Sequence, residues 1–204
     1  GNMTAKYGED KTTIVYTYTV KGEETEGDNG ELVINKIEAL ETSQVCDIAG
    51  NTSENTTSNK TTNEVYADTE KPEVDNITAV GHSTIEDITH SGIGFYKAGS
   101  TIDVTIKSNE PIATDVIEVQ YAFGDTEPTE FKTDKEGHLN TDSENKKYTF
   151  TIKVEDGDNG YLWVKVGEDV YKDVAGNGNK AEKATQILNI YADTTSPKLS
   201  TNED

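Results

Sequence analysis

The sequence has a single cysteine, few basic residues and no long apolar run. Cys46 has no partner for a disulfide within the chain, which excludes the stapled architecture usual in small secreted animal domains. Only 18 lysine and arginine residues stand against 39 aspartate and glutamate residues, so the net charge is −21. This balance argues against nucleic acids and anionic lipids as partners, because both are bound through clustered basic side chains. No stretch is apolar over the length of a bilayer, so no membrane insertion is expected in this segment.

Hydrophobic residues make up only 32% of the chain, a fraction low enough to suggest disorder. They are concentrated, however, in short runs rich in Val, Ile, Thr and Tyr, in which apolar and polar residues alternate. In Thr101 to Lys107, for example, Ile102, Val104 and Ile106 fall on one face. Such alternation predicts half-buried β-strands, and no segment carries a sustained helical period. The fold class predicted is therefore all-β, with thin β-sandwiches.

The predicted strands lie between turn-forming residues. In chain order they are Lys11 to Val20, Leu32 to Ile37, Glu64 to Asp68, Glu73 to Val80, Thr101 to Lys107, Asp115 to Phe123, Tyr148 to Val154, Tyr161 to Val166 and Thr185 to Tyr191. Gln44 to Asp47 is expected to lead into a turn. Gly81 to Gly99 is expected to be a long irregular connection, and Asp125 to Lys147 a polar stretch with at most one short edge strand. The predicted core consists of Ile102, Val104, Ile106, Tyr148, Phe150, Ile152, Ile190, and Trp163 or its neighbours Leu162 and Val164.

The clearest feature of the sequence is an internal repeat centred on an Asp-x-Ala-Gly-Asn turn. Its two copies begin at Asp47 and Asp173. Three further markers surround each copy in the same order: Tyr16 to Val20 and Tyr148 to Ile152, Gly-Asp-Asn-Gly at 27–30 and 157–160, and Tyr-Ala-Asp-Thr at 66–69 and 191–194. The aspartate side chain is expected to accept from backbone N–H groups of the turn, and the glycine to take a positive φ. A strand–turn–strand repeated twice indicates architecture rather than catalysis.

The repeat also predicts the domain boundaries. Pro72 and Pro197 occupy equivalent places 125 residues apart, so the joint between units is expected at Asp68 to Pro72. Residues 1–70 then form a first unit, residues 71–197 a complete second unit and residues 198–204 a tail. The first unit lacks counterparts of roughly residues 72–132, including the opening strands. We therefore expect it to be the less stable unit, either cut from a longer exported protein or completed by self-association.

At Phe95 to Ile106, followed by Ser108 to Ile112, the chain resembles bacterial immunoglobulin-like (Big-type) repeats of large cell-surface and adhesin-like proteins. The Tyr-Lys-x-Gly entry, the Ser-x-Glu-Pro strand end, the Tyr-Thr-Phe/Tyr-Thr strand and the Asp-x-Ala-Gly-Asn turn occur in that order. The resemblance implies tandem Ig-like β-sandwich units, the first incomplete, with neighbouring Ig-like repeats as partners. It also implies an extracellular or cell-surface location.

Three functions fit these features: a stalk or spacer, a module binding a host or cell-wall glycan or protein, and an accessory domain of a secreted polysaccharide-active enzyme. The chain itself is not expected to be an enzyme. His82, His90 and His138 are scattered over polar stretches, without a catalytic motif. Trp163, Tyr161 and Tyr148 could stack on a sugar, but aromatic residues on strands are more often core or cross-strand pairs, and we favour the core interpretation.

A calcium site is predicted at the joint between the units. In an Ig-like sandwich the B–C and F–G loops gather at the pole where the N-terminus enters. That order brings together six residues: Asp68, Glu70, Asn109, Glu110, Asp173 and Asn177. Glu24, Glu26 and Asp28 of the first unit are expected to approach the same joint. Carboxylate and carbonyl loops suit Ca²⁺, which extracellular modules often bind at about 10⁻⁴–10⁻³ M. The alternative is a solvated acidic hinge in which Asp173 caps its own turn.

Overall fold

The computed structural model describes residues 3–7, 9, 14–22, 27–32, 37–38, 49–52, 57–58, 65–82, 89–90, 92–140 and 146–199. Every regular element in these residues is a β-strand, in agreement with the all-β prediction. None of them belongs to a helix long and apolar enough to cross a bilayer. The chain divides into two compact units, Gly1–Glu70 and Lys71–Asp204, and the division falls within the segment from Asp68 to Pro72.

The described part of the first unit contains three two-stranded antiparallel pairs. They are β1 (Met3–Tyr7) with β2 (Ile14–Tyr18), β3 (Gly30–Glu31) with β6 (Tyr66–Ala67), and β4 (Ile37–Glu38) with β5 (Thr57–Ser58). The strand predicted over Lys11 to Val20 is β2, and the predicted closing strand is β6. Residues 33–36, and residues 44–47 that were predicted to lead into the repeated turn, lie outside the described residues.

The described part of the second unit contains nine strands. They are β7 (Val74–His82), β8 (Thr89–His90), β9 (Ile93–Tyr96), β10 (Thr101–Ser108), β11 (Val116–Gly124), β12 (Lys132–Asn140), β13 (Lys147–Lys153), β14 (Asn159–Lys165) and β15 (Thr185–Asp193). They form one continuous sheet in the order β7-β10-β13-β12-β11-β14-β15-β9-β8. Neighbouring strands are antiparallel except β9 and β15, which are parallel.

The sheet of the second unit encloses a single core. Because β12 pairs with β11 over one part of its length and with β13 over another, the sheet folds over between these strands. Strands β7, β10 and β13 then pack against β11, β14 and β15, which gives the unit its β-sandwich character. The core predicted from the sequence is confirmed: Ile102, Val104, Ile106, Tyr148, Phe150, Ile152, Leu162, Val164 and Ile190 are all at most 4% exposed.

Two segments of the second unit differ from the prediction. Gly81 to Gly99 is not an irregular connection throughout, because β8 and β9 lie within it. Gly81 and Gly94 flank the ring of Tyr96, and neither position has room for a Cβ atom. Asp125 to Lys147 contains the nine-residue strand β12, which is paired on both sides and is therefore neither short nor an edge. All three strands pair through their backbones, and apolar alternation does not report such pairing.

Two buried tyrosines make the stability of the second unit sensitive to alkaline pH. The ring centroids of Tyr148 and Tyr171 lie 5.8 Å apart, and the side chains are 0% and 1% exposed. Burial raises the pKa of Tyr171 from 10.0 to about 12, and it raises the pKa of Tyr148 as well. Since the pKa is raised in the folded state, the stabilisation is complete below pH 10 and is lost as the pH rises toward 12.

We expect the free energy of unfolding of the second unit to fall steeply from pH 10 toward pH 12. Tyr171→Phe should remove part of this fall, because phenylalanine fills the site with a ring that does not ionise. Urea unfolding at a series of pH values, followed by the fluorescence of Trp163, measures it, since Trp163 is the single tryptophan and lies in this unit. Identical pH profiles for the variant and the unchanged chain would contradict the assignment of this loss of stability to Tyr171.

Candidate functional site

The Asp-x-Ala-Gly-Asn turn of the second unit is closed by Asp173, which is only 1% exposed. Its Oδ1 accepts from the backbone N–H of Gly176 at 2.6 Å and of Asn177 at 2.9 Å. Its Oδ2 accepts from Nδ2 of Asn177 at 2.8 Å. Gly176 has a φ of 98°, and Gly50 of the first copy has a φ of 87°. The predicted roles of the aspartate and the glycine are confirmed in the second unit, whereas Asp47 lies outside the described residues.

The turn is fixed to the segment that follows β10. Asp173 forms an isolated antiparallel bridge with Ile112, and Lys172 forms another with Gly178. The N–H of Ala113 donates to the carbonyl of Lys172 at 2.8 Å. This attachment places the turn beside the loop that carries Asn109 and Glu110, as the prediction from strand order required.

Asn109 and Glu110 have different environments within that loop. Oδ1 of Asn109 accepts from the N–H of Glu73 at 2.9 Å, so this amide oxygen is directed at the backbone. The N–H of Glu110 donates to Oγ of Ser108 at 3.4 Å. A carboxylate oxygen of Glu110 lies within 4.8 Å of one of Asp173. Of the four predicted ligands in the second unit, the structure therefore brings two carboxylates together and uses both asparagine side chains in hydrogen bonds.

The predicted ligands of the first unit take part in a local hydrogen-bonded arrangement. Oδ1 of Asp68 accepts from the N–H of Glu70 at 3.1 Å, and Oε1 of Glu70 accepts from Nδ2 of Asn29 at 3.2 Å. Hydrogen bonds from the Tyr18 hydroxyl and the Lys21 N–H lower the pKa of Asp28. Glu24 and Glu26 lie outside the described residues. A shared site joining these residues to Glu110 and Asp173 stays a prediction.

The two carboxylates of Glu110 and Asp173 offer oxygen ligands, the type of ligand that a hard cation prefers. Two carboxylates at this separation repel each other, and an ion or water between them would relieve the repulsion. Asp173, however, already receives three N–H groups, which alone accounts for its burial. About one acceptor position of the four that a carboxylate offers is left on Asp173. The geometry is therefore compatible with Ca²⁺ and equally explained by a self-capped turn.

Asn179, which follows the turn in the chain, makes four side-chain hydrogen bonds and was not singled out from the sequence. It is 0% exposed. Its Oδ1 accepts from the N–H groups of Val170 at 2.7 Å and Tyr171 at 2.9 Å, and its Nδ2 donates to the carbonyls of Gly167 and Lys180, both at 2.7 Å. The only local signal was a second asparagine two residues after Asn177. Asn179 therefore holds the β14–β15 connection in shape.

Aromatic side chains line the outer face of β9, β14 and β15. The rings of Tyr161 and Tyr191 lie edge to face with centroids 5.0 Å apart, and Phe95 lies 5.3 Å from Tyr191. Trp163, two residues along β14 from Tyr161, donates from Nε1 to the carbonyl of Gly124 at 3.0 Å. All four are half-buried. Tyr148 is therefore a core residue and Tyr161 forms a cross-strand pair with Tyr191, both within the interpretation favoured from the sequence. Trp163 lies outside the core, because its neighbours Leu162 and Val164 occupy the inward positions.

Comparisons with known proteins return no relatives for this chain. No family model matches it, no curated protein matches it, and no solved structure matches it.

Proposed function

We propose that the chain is a non-catalytic tandem repeat module, a stalk or spacer, from a bacterial cell-surface or secreted protein, built of Ig-like units. The observation that carries the proposal is one arrangement of hydrogen bonds, here called the frame, that occurs at equivalent residues of both units. In each unit an asparagine side chain binds the N–H of a threonine: Asn29 to Thr69 at 2.7 Å, and Asn159 to Thr194 at 3.0 Å. Repetition of one structural unit along a chain is typical of proteins that provide length and spacing.

Further details of the frame recur in both units. Oδ1 of Asp68 accepts from the N–H two residues later at 3.1 Å, and Oδ1 of Asp193 does so at 3.0 Å. Gly30 and Gly160, at equivalent places, have φ angles of 104° and 105°. These angles lie in the region that glycine alone adopts readily. The agreement supports two copies of one fold rather than two unrelated units.

The strand order of the second unit supports the Ig-like assignment. An Ig sandwich pairs strands A, B and E in one layer and C, F and G in the other. Here β7, β10 and β13 are neighbours, and so are β11, β14 and β15. The parallel partner of β15 is β9, which precedes β10 in the chain. An extracellular setting is supported by the net charge of −21, which suits a highly solvated surface.

Surface labelling tests the setting and the role. Antibodies raised against the second unit should label intact cells of the source organism, and protease added outside the cells should remove the signal. Replacing the repeat in its parent protein by an unrelated folded spacer of equal length should then leave adhesion of the cells unchanged. Labelling only after lysis would contradict the surface location, and loss of adhesion with the substitute spacer would contradict a pure spacer role.

The outer aromatic face favours a second candidate, a glycan-binding module. Partly exposed rings on neighbouring strands can stack on the faces of sugar rings, and the surrounding acidic surface disfavours anionic glycans. A glycan array probed with the second unit tests this, with Tyr161→Ala and Trp163→Ala as variants. Binding of a neutral glycan that both substitutions abolish would support the candidate, with Val174→Ala as control because that side chain is 72% exposed on the turn.

Calcium binding at Glu110 and Asp173 is part of this proposal and makes a separate prediction. Ca²⁺ at several times a dissociation constant of about 10⁻⁴–10⁻³ M should raise the stability of the second unit by about 1 kcal/mol. Glu110→Gln should abolish the increase, because it removes one carboxylate and leaves the hydrogen bonds of Asp173 intact. Melting curves in calcium, magnesium and chelator measure the effect. If the curves coincide, the self-capped acidic turn is the correct interpretation.

A further inference from the structure

The indole of Trp163 lies flat on the outer face of the second unit's sheet. Ala122 is directly opposite Trp163 in the ladder between β11 and β14, so the two side chains share that face. Nε1 of Trp163 donates to the carbonyl of Gly124 at 3.0 Å, which directs the indole along β11. Ala122 is only 7% exposed although it lies on the outer face. One face of the indole therefore covers Ala122, and the other face is directed at solvent.

The remaining aromatic side chains of this surface pack against one another. The rings of Tyr161 and Tyr191 meet edge to face, and Phe95 lies against Tyr191. Within the part of the chain that the structure describes, no ring contact involves Trp163. Trp163 is thus the aromatic residue of this surface whose ring face is open to a ligand.

Three polar side chains border the open indole, and we call them the rim. Gln186 lies opposite Trp163 on β15, Lys165 follows two residues along β14, and Gln120 lies opposite Lys165 on β11. All three are half-buried. The side-chain amides of Gln120 and Gln186 make no hydrogen bond to any described residue, and Nζ of Lys165 lies 5.7 Å from the ring centroid of Phe131. Donors and acceptors of the rim are therefore available to a ligand.

The charge of the rim selects the kind of ligand. The chain has 39 acidic residues, yet the rim consists of two amides and one ammonium group. The ammonium group repels a cation, and the net charge of −21 repels an anion. Hydroxyl groups complement the rim, because each can accept from an ammonium or amide N–H group and donate to an amide oxygen. The complementary ligand is neutral, with hydroxyl groups around an apolar ring face.

We propose that Trp163 binds one neutral pyranose ring by stacking, with the rim as its hydrogen-bond partners. The C–H groups of the sugar's apolar face lie on the indole, and its hydroxyl groups reach the rim. Because the bond to Gly124 already fixes the indole, the side chain loses little freedom on binding. One ring and few donors correspond to a dissociation constant of about 1–10 mM. The inference rests on the glycan-binding candidate above and assigns its contact residues.

The test uses the full 204-residue chain, with methyl β-galactoside and methyl β-glucoside as probes. Each should change the fluorescence of Trp163, the single tryptophan, in a saturable manner. Saturation-transfer NMR should show transfer to the protons of the sugar's apolar face. Trp163→Ala should abolish this transfer, and Gln186→Ala should weaken binding by about threefold or more. The matched control is Val80→Ala, at a valine that is 61% exposed on β7, and it should bind like the unchanged chain.

Two further probes test the choice of ligand. Sorbitol carries hydroxyl groups but has no ring face, so it should neither bind nor displace the glycosides. Equal binding of sorbitol would overturn stacking on the indole. Methyl β-galacturonide has the same ring with a carboxylate, and tighter binding of this probe would overturn the neutral ligand.

The variants separate the platform from the glycan-binding candidate itself. Transfer that Tyr161→Ala abolishes and Trp163→Ala leaves unchanged would overturn the stacking site while keeping a glycan-binding surface. If neither glycoside gives transfer to the unchanged chain, the stacking site and the binding of neutral glycans are both contradicted. Hydrogen exchange at the amides of Leu162 and Val164 shows whether Trp163→Ala stays folded. If it does not, Trp163→Phe takes its place and should weaken binding, because its ring is smaller.

Discussion

Replacing Phe150 by alanine is expected to lower the free energy of unfolding of the second unit by about 3–5 kcal/mol. The side chain is 4% exposed in the core between β13 and the opposing layer, and its residue pairs with Val104 of β10. Truncation removes buried apolar surface and leaves a cavity that the two layers of the sheet cannot close without distortion. A domain of ordinary stability, about 5–15 kcal/mol, loses much of its margin with this one change.

Denaturant unfolding followed by Trp163 fluorescence measures the loss in the second unit alone. The control is Leu188→Ala, at a side chain that is 66% exposed on β15, and it should change the free energy of unfolding by no more than about 0.5 kcal/mol. A cost below about 1 kcal/mol for Phe150→Ala would mean that β13 turns its other face to the core.

Replacing Asn179 by alanine is expected to cost about 3 kcal/mol or more. The substitution leaves two N–H groups and two carbonyl groups without the side chain that binds them, at a position that is 0% exposed. Buried backbone groups left without partners cost about 1–3 kcal/mol each unless water reaches them. Asn179→Asp should be no better, because a carboxylate cannot donate to the carbonyls of Gly167 and Lys180.

Asn189→Ala is the matched control for this second prediction. Asn189 is exposed and makes one side-chain hydrogen bond, from Nδ2 to the carbonyl of Ala79 at 3.2 Å. Its loss should cost at most about 1.5 kcal/mol. Chemical denaturation and hydrogen exchange of the Tyr171 amide both report the effect. Equal costs for the two variants would show that the network around Asn179 relaxes or is filled by water.

The parts of the fold that the sequence predicted are those whose side chains carry the signal. Ile102, Val104 and Ile106 alternate without interruption, and β10 has its inward face where that pattern predicts. On β14 the alternation is ambiguous, because Tyr161, Leu162, Trp163 and Val164 are all apolar or aromatic. Which residues of β14 face inward depends on the register of this strand with β11, and that pairing joins residues distant in sequence.

The strands that were missed are held by backbone pairing with other strands and have no apolar alternation of their own. The β9 strand contains Gly94, and its pairing with β15 joins residues almost a hundred positions apart. The β12 strand reads Lys-Thr-Asp-Lys-Glu-Gly-His-Leu-Asn, with no apolar alternation. Its extended form comes from ladders on both sides. Local β-propensity shows neither the pairing of β9 with β15 nor the ladders on the two sides of β12.

The candidate site was predicted at the level of loops but not of atoms. Strand order correctly brought the loop of Glu110 beside the turn of Asp173. It could not show that the oxygen of Asn109 is turned to the N–H of Glu73, or that Asn177 donates to Asp173. Side-chain direction depends on which nearby backbone groups lack partners, and that is known only once the loops are built.

The parallel pairing of β9 with β15 has a mechanical consequence for the second unit. Its register joins Gly94 to Ile190, Phe95 to Tyr191 and Tyr96 to Ala192. Tension applied to the two ends of the unit acts first on β7 and β15. Once β7 and β8 have been pulled out of the sheet, β9 is drawn by its N-terminal end and β15 by its C-terminal end. In parallel strands these pulls are opposite and run along the strands, so the hydrogen bonds between them are sheared together. A hairpin peeled from its tip instead releases its bonds one after another, at a lower force.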